Sequence, residues 1–253
     1  MPRRPRVMIP GVAHHVTQRG NPRRSVFLSR HDRAFYVARL THHAALHGTR
    51  IPGYCRMTNH VPLVATPAEE DSRARTFGPT HSEYALYGNR SWEQRGHVWQ
   101  NRFFSCPLGE SPPMTALRSI ERNRVRAGLA ELAGEWPWSS ARAHAFRGSM
   151  DPVLDPASPD CRCPWDHTEW REILAAGVSE TDTCAIGGTT RTGEPLGSAE
   201  FVARLERETG RRWQLLARGR PRLPRGSVSV DFANGRPDVL VRRERLKCVC
   251  PLF

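Results

Sequence analysis

The segment MTNHVPLV at residues 57–64 decides how the rest of the chain is interpreted. It lies between a strand-like run at residues 50–55 and the Thr66-Pro67 break, a pattern typical of a turn that leads into a second strand. Side chains two residues apart on a strand point to the same face of the sheet. Histidines at both positions 60 and 62 would therefore place two imidazoles side by side, ready to bind one metal ion. The sequence has His60 but Pro62, so one of these two ligands is absent.

Periodicity on both sides of this segment predicts alternating strands and helices. We expect the Gly78-Pro79 pair to interrupt the second helix. The predicted elements are strands at residues 11–19, 50–57, 60–66 and 99–108, and helices at residues 31–47, 69–90 and 112–127. This order is the ferredoxin-like, or split βαβ, plan of the α+β class, with one added helix. We expect an antiparallel sheet with helices on one face and a free second face that could follow a DNA backbone.

The second half of the chain has weaker patterns and is predicted to be loosely organised. We assign residues 1–147 to one domain and residues 148–197 to a linker with a short helix at 169–176 and a loose stretch at 187–197. Residues 198–217 contain a capped amphipathic helix. Residues 218–253 are basic, contain few core residues and are predicted to be disordered.

Composition indicates a nucleic-acid partner. The 253 residues carry a net charge of +13, and Lys247 is the only lysine, so the positive charge is almost all arginine. The planar guanidinium suits bidentate contact with phosphate. A solvated basic face without a partner is the alternative for any single arginine. The sequence shows no apolar run of membrane length and no signal-peptide core, so we expect a cytoplasmic protein.

Five blocks in the same order resemble the IS200-like, REP-associated tyrosine transposases of the HUH endonuclease superfamily. They are residues 10–21, YCRMTNHVPL at 54–63, GHVWQNRF at 96–103, IERNRVRAGL at 120–129 and WPWSS at 136–140. A sixth block, PLGS at 195–198 followed by residues 201–212, resembles the C-terminal extension of longer members. The resemblance implies the same ferredoxin-like fold.

The resemblance also implies cleavage of single-stranded DNA beside a hairpin. A tyrosine hydroxyl attacks the phosphorus, which leaves the 5′ phosphate on the protein, and two histidines hold a divalent ion, Mg²⁺ or Mn²⁺. In this sequence Ser119 stands at the tyrosine position, and Asn123 is the helper residue one helical turn later. His60 and Asn123 remain as metal contacts, with Pro62 at the lost histidine.

Each loss has a physical consequence. An ion held by His60, Asn123 and water would be bound weakly, so we expect a weak or absent metal. Pro62 removes a backbone donor, and we expect strand pairing to suffer there. The Ser119 hydroxyl is short and poorly acidic, with no base predicted to activate it. Tyr84 and Tyr87 could substitute, although helix packing is the simpler explanation for both.

Arginines interleaved with aromatic side chains are typical of phosphate contact combined with base stacking. The alternative is a solvated charged face with Trp99 in the core, and we interpret residues 136–138 as a packing clamp. The predicted DNA-binding residues are Arg19, Arg23, Arg24, Arg95, His97, Gln100, Arg102, Arg118, Arg122 and Arg126.

Three functions compete at this point. The first is an active transposase that uses a substitute nucleophile, and the second is a relative that binds single-stranded or hairpin DNA but has lost cleavage. The third is a basic RNA-binding or structural protein. The joint absence of the tyrosine and the second histidine favours the second.

Overall fold

A computed structural model describes residues 9–21, 25–154 and 166–213. The predicted tail at 218–253 and Arg23 and Arg24 lie outside these residues. Contacts group the chain into a first unit that ends at Arg211 and a second, Arg212–Phe253; the architecture below is that of the first unit.

The first unit contains four strands and eight α-helices among its described residues. The strands are β1 (His14–Arg19), β2 (Thr49–Tyr54), β3 (His60–Pro67) and β4 (Phe104–Pro107). The helices are α1 (Arg30–Leu46), α2 (Ser72–Ser91), α3 (Pro112–Glu121), α4 (Asn123–Arg126), α5 (Ala141–Ala145), α6 (His167–Ala176), α7 (Glu180–Thr192) and α8 (Ala199–Thr209). No helix in the described ranges is long and apolar enough to cross a membrane.

The strands form one antiparallel sheet in the order β2-β3-β1-β4. In the central pair, Val16 of β1 lies opposite Leu63 of β3. This is the strand order of the split βαβ plan. The predicted α+β class and ferredoxin-like topology are therefore confirmed.

One face of the sheet packs against α1 and α2, as the sequence predicted. Val16 and Leu63 are buried there together with Tyr36 and Leu40 of α1 and Phe77 of α2. The apolar residues Val61, Leu63 and Ala65 of β3 recur every second residue, so one face of this strand supplies the core.

The second face is covered as well, so the expectation that it is free is wrong. Val64 of β3 packs with Ala116 and Ile120 of α3 and with Ile186 of α7. Helix α3 lies so close to β2 that a Cβ atom at Gly53 would be 2.0 Å from Leu117 Cδ1. Of the two helices in this layer, α3 lies in the helix predicted at 112–127, whereas α7 was not predicted.

Both outer strands have a short backbone partner. The amide of Arg56, just past β2, donates to the carbonyl of Trp138 at 2.9 Å, and Ser140 donates to Tyr54 at 3.1 Å. Along β4, Leu196 donates to Pro107 at 2.9 Å. The 136–138 segment therefore packs along a sheet edge, as the packing-clamp interpretation predicted.

Three helix predictions differ from the structure, and the first is the helix predicted at 112–127, which is divided at Arg122 into α3 and α4. Helix α2 is continuous through Pro79. Its buried residues lie on both sides of the proline, and the helix packs against α1 along this length. Helix α7 occupies much of the stretch predicted to be loose, and it begins where Ser179 Oγ accepts a hydrogen bond from the amide of Asp182 at 3.0 Å. The domain boundary at residue 147 stays a prediction.

Candidate nucleic-acid interface

His60 is the first residue of β3 and lies opposite Arg19 of β1. His15 is on the same face of β1 as Arg19, and its Nδ1 lies 2.7 Å from Thr190 Oγ1 of α7. His60 Nδ1 lies 2.7 Å from Asn59 Oδ1. Because an amide oxygen can only accept, this Nδ1 carries the proton and Nε2 carries the lone pair.

Burial keeps both imidazoles neutral. Burial, reinforced by Arg19, Arg126 and His15, lowers the pKa of His60 to about 3. Burial, reinforced by Arg126 and Arg19, lowers the pKa of His15 to about 4. At neutral pH the positive charge here therefore belongs to the two arginines.

Ser119, Asn123 and Arg126 follow one another at the end of α3 and along α4. Arg126 Nη2 donates to Asn123 Oδ1 at 2.5 Å, and Arg126 Nη1 lies 3.5 Å from Ser119 Oγ. The side chains of Ser119 and Asn123 are buried, whereas Arg126 is exposed.

Helix α3 packs on β1 and β3, the strands that carry His15, Arg19 and His60, and the charge of Arg126 acts on both His60 and His15. We call this region the central site. Its members are His15, Arg19, His60, Ser119, Asn123 and Arg126.

Pro62 leaves the pairing between the two central strands intact, contrary to the expectation that pairing suffers. The carbonyl of Pro62 accepts from the amide of Cys55 at 3.0 Å, so its ring nitrogen also points toward the end of β2. The opposite pair, Thr17 and Pro62, lies within an unbroken six-pair register between β1 and β3. The backbone hydrogen bond that the proline removes is the one from residue 62 to the carbonyl of Cys55, which lies one residue beyond β2.

The donor set of the central site does not fit a divalent metal. His60 Nε2 is a suitable ligand, but the oxygen of Asn123 already accepts from Arg126. No group of three or more His, Cys, Asp or Glu residues in the described ranges could hold an ion. The guanidiniums of Arg19 and Arg126 add positive charge where a divalent cation needs negative ligands.

The partner of Ser119 Oγ is the guanidinium of Arg126, 3.5 Å away, and a guanidinium cannot act as a base. The two candidate tyrosines lie on the other side of the sheet. Tyr84 donates to the carbonyl of Val26, and Tyr87 Oη lies 3.2 Å from Asp32 Oδ1. Burial raises the pKa of Tyr84. Neither phenol reaches the central site.

The arginines of α3 and α4 have different partners within the protein. Arg118 donates to the carbonyl of Gly177, and Arg122 donates to that of Ala175 at 3.2 Å. Both therefore cap the C-terminus of α6, where positive charge is favourable. Arg124 stacks on Trp136 with its Cζ 3.6 Å from the ring centroid. DNA contact by Arg118 and Arg122 stays a prediction.

Helix α3 is held in place by a buried carboxylate that the sequence analysis missed. Glu121 Oε1 accepts from Ser140 Oγ at 2.5 Å and from His144 Nδ1 at 2.6 Å. Its Oε2 accepts from Trp170 Nε1 at 2.8 Å. This network joins α3 to α5 and α6 two residues from Ser119. An acidic residue at an inward helical position was the available signal.

The predicted residues Arg95, His97, Gln100 and Arg102 are exposed between α2 and β4. Their aromatic neighbours are less available than expected, because Trp99 and Phe103 pack against the core of the first face. A groove between α2 and residues 96–103 is lined by His97, Gln100 and Arg102. Gln18, Arg73 and His81 line it too, and none of these three was predicted. Gln18 could have been found as a polar residue on the inward face of β1.

Comparison with solved structures gives eight matching chains, of which two are described here. The chain is similar to a REP-associated tyrosine transposase bound to a REP hairpin, with 18% identity over 61% of this chain and 92% of that one, and a TM-score of 0.48. It is also similar to a transposase described from Deinococcus radiodurans R1, with 16% identity over 48% of this chain and 97% of that one, and a TM-score of 0.34. No protein-family model and no curated protein matches the sequence.

Proposed function

We propose that this protein is a member of the IS200-like, REP-associated tyrosine transposases that binds single-stranded or hairpin DNA in the cytoplasm without cutting it. The five sequence blocks, at residues 10–21, 54–63, 96–103, 120–129 and 136–140, support the family. The split βαβ fold supports it too, because α3, which carries Ser119 and is followed by Asn123, packs on strands β1 and β3 of the sheet.

One observation is the main support for DNA binding. Arg126 donates a hydrogen bond to Asn123 Oδ1 and brings a permanent positive charge into the central site. In the family that charge is expected to come from a metal ion. A guanidinium can bind a phosphate oxygen pair without any cation. Arg19, on the paired strand opposite His60, supports the same electrostatic role. Binding is therefore proposed to be independent of divalent metal.

The same site lacks what cleavage requires. In the family reaction the tyrosine oxygen forms a bond to phosphorus while the bond to the 3′ oxygen breaks, which gives a phosphotyrosine and a free 3′ hydroxyl. Ser119 would have to form an aliphatic ester while its hydroxyl contacts the guanidinium of Arg126, which cannot act as a base. Its alkoxide is also a poor leaving group for the return step. We infer that DNA stays intact in the site.

Binding and cleavage can be tested in one experiment. Purified protein is mixed with a labelled DNA hairpin that carries a single-stranded flank, in Mn²⁺ or in EDTA. We expect equal affinity in both and no covalent adduct after boiling in detergent. An adduct would restore the active transposase, and binding that needs Mn²⁺ would refute the role of Arg126. Stronger competition by a matched RNA hairpin would favour the RNA-binding alternative.

A matched pair of variants tests the proposed contact. Arg126→Gln should weaken hairpin binding and lower the slope of log affinity against log salt by about one, since one phosphate contact is lost. Arg142→Gln removes the same charge from an exposed position on α5 outside the central site, and we expect a much smaller change. Equal effects of the two variants would show that only net charge matters.

A further inference from the structure

Trp136 lies in the segment that packs along the β2 edge, and two arginines from different helices lie against its ring. The Cζ of Arg124, in α4, is 3.6 Å from the ring centroid, and the Cζ of Arg33, in α1, is 5.6 Å from it. The indole is fixed in turn, because its Nε1 donates to the carbonyl of Arg56 at 3.0 Å. The same ring therefore keeps two positive charges close together. We call Arg33, Arg124 and Trp136 the tryptophan cluster.

The two charges repel each other, and no carboxylate within the described ranges forms a salt bridge with either arginine. Burial, with a contribution from the charge of Arg33, lowers the pKa of Arg124. The carboxylate that acts on Arg33 is that of Asp32, but its Oδ2 already accepts from the amides of Leu28 and Ser29 at 2.7 and 2.8 Å. Like charges held close together are destabilising, and a bound anion would offset their repulsion.

Each guanidinium of the tryptophan cluster has N–H groups that reach solvent. Arg124 stacks on the indole without a hydrogen bond to another described residue, and of its guanidinium nitrogens Nε alone is shielded from solvent. Arg33 donates from Nη1 to the carbonyl of Ser29 at 3.0 Å, which leaves Nη2 available. Both arginines are half-buried, so their guanidiniums are held in place while the outer edges stay accessible. The Nη atoms are therefore the donors that a ligand can reach.

We propose that the tryptophan cluster binds a terminal phosphate group, held by the Nη atoms of Arg33 and Arg124. A guanidinium presents paired N–H donors that match two phosphate oxygens. A terminal phosphate carries about 1.5 to 2 negative charges at pH 7, which two arginines can balance, whereas a phosphodiester inside a DNA strand carries one. Inorganic phosphate, a phosphate monoester and the 5′ phosphate of a DNA end all have this chemistry. The inference goes beyond the proposed DNA binding and does not depend on it.

Thermal unfolding measures the binding of inorganic phosphate, the simplest such ligand. Far-UV circular dichroism gives the unfolding temperature at a fixed pH and ionic strength, in inorganic phosphate, in dimethyl phosphate or in chloride. A ligand that binds only the folded protein stabilises it, so inorganic phosphate at about ten times its Kd should raise the unfolding temperature by about 3–6 °C. Dimethyl phosphate is a diester with one charge and should give a much smaller shift. An equal shift in dimethyl phosphate or in chloride would overturn the assignment.

Matched variants locate the bound phosphate. Arg124→Gln and Arg33→Gln should each remove most of the phosphate shift, whereas Arg142→Gln, at an exposed position on α5, should keep it. Each shift is measured from the variant's own unfolding temperature without phosphate, so a general loss of stability does not count. Equal shifts in Arg124→Gln and Arg142→Gln would overturn the assignment. A shift that Arg126→Gln removes and Arg124→Gln keeps would also overturn it, because phosphate would then bind at the central site.

Two hairpins that differ only at the 5′ end, which is a phosphate or a hydroxyl, separate the sources of the ligand. Tighter binding of the phosphorylated hairpin, lost in Arg124→Gln, would identify a DNA end as the ligand. Equal affinities together with an intact phosphate shift would assign the site to a small phosphate compound. If neither hairpin binds but the phosphate shift depends on Arg124, the proposed DNA binding fails and this site stands. If both hairpins bind and phosphate gives no shift, this site fails and the DNA binding stands.

Discussion

Replacement of Glu121 by glutamine should destabilise the protein while leaving its shape unchanged. The carboxylate is fully buried and accepts from Ser140, His144 and Trp170 at 2.5, 2.6 and 2.8 Å. Glutamine keeps one acceptor oxygen but presents an NH₂ group to the remaining donors. Hydrogen bonds to charged groups contribute about 1.5–3 kcal/mol each, and a buried donor left unpaired costs a similar amount. We therefore expect the free energy of unfolding to fall by about 2–4 kcal/mol.

Urea denaturation followed by far-UV circular dichroism measures this change, and Glu131→Gln is the matched control. Glu131 is exposed in the loop after α4, so the same substitution there should change stability by less than about 0.5 kcal/mol. Equal effects of the two substitutions would refute the reasoning, because they would show that the network contributes nothing beyond the loss of one charge. A large effect is also expected to weaken hairpin binding, since the network holds the helix that carries Ser119.

Three further predictions follow from other contacts. Ser119→Tyr combined with Pro62→His should give a Mn²⁺-dependent covalent adduct with the flanked hairpin on a denaturing gel, and neither change alone should; an inactive double variant would implicate Arg126 in excluding the ion. Arg124→Ala should lower the free energy of unfolding by about 0.5–2 kcal/mol through loss of its stacking on Trp136, and an unchanged urea midpoint would contradict this. Burial, with a contribution from Arg73, lowers the pKa of His14 to about 3. Below pH 6.5 the imidazole of His14 binds a proton in the unfolded chain but stays neutral in the folded chain. The free energy of unfolding therefore falls as the pH drops from 6.5 toward 3. Between pH 7.5 and 5 the His14→Gln variant should lose about 2 kcal/mol less than the wild type in urea titrations.

Local pattern was sufficient for β1, β2, β3 and α1, whereas the predicted strand at 99–108 is reduced to β4 and the predicted helix at 112–127 is divided into α3 and α4. Pro62 shows the limit of that approach. The sequence alone places a proline in a central strand and predicts damaged pairing. The structure shows that its nitrogen points to the side where β2 has already ended. Which side of a strand a missing N–H faces depends on register, and register is a property of the partner strand.

The partners of long polar side chains were also beyond the reach of local pattern. Arg118 and Arg122 reach carbonyls 59 and 53 residues away in sequence, and nothing near them announces the end of a helix. Helix α7 was missed because two glycines and several threonines give it low helical propensity. Its place against the sheet comes from tertiary contacts such as Thr190 with His15.

The short partners along the outer strands limit how this protein can self-associate. An open sheet edge offers unpaired amides and carbonyls on which a second chain can add a strand, the usual start of edge-to-edge oligomers and aggregates. Here Trp138 and Ser140 occupy such groups beside β2, and Leu196 occupies them beside β4. At these positions a second copy has no main-chain template to extend, so assembly there would have to use side-chain surfaces instead.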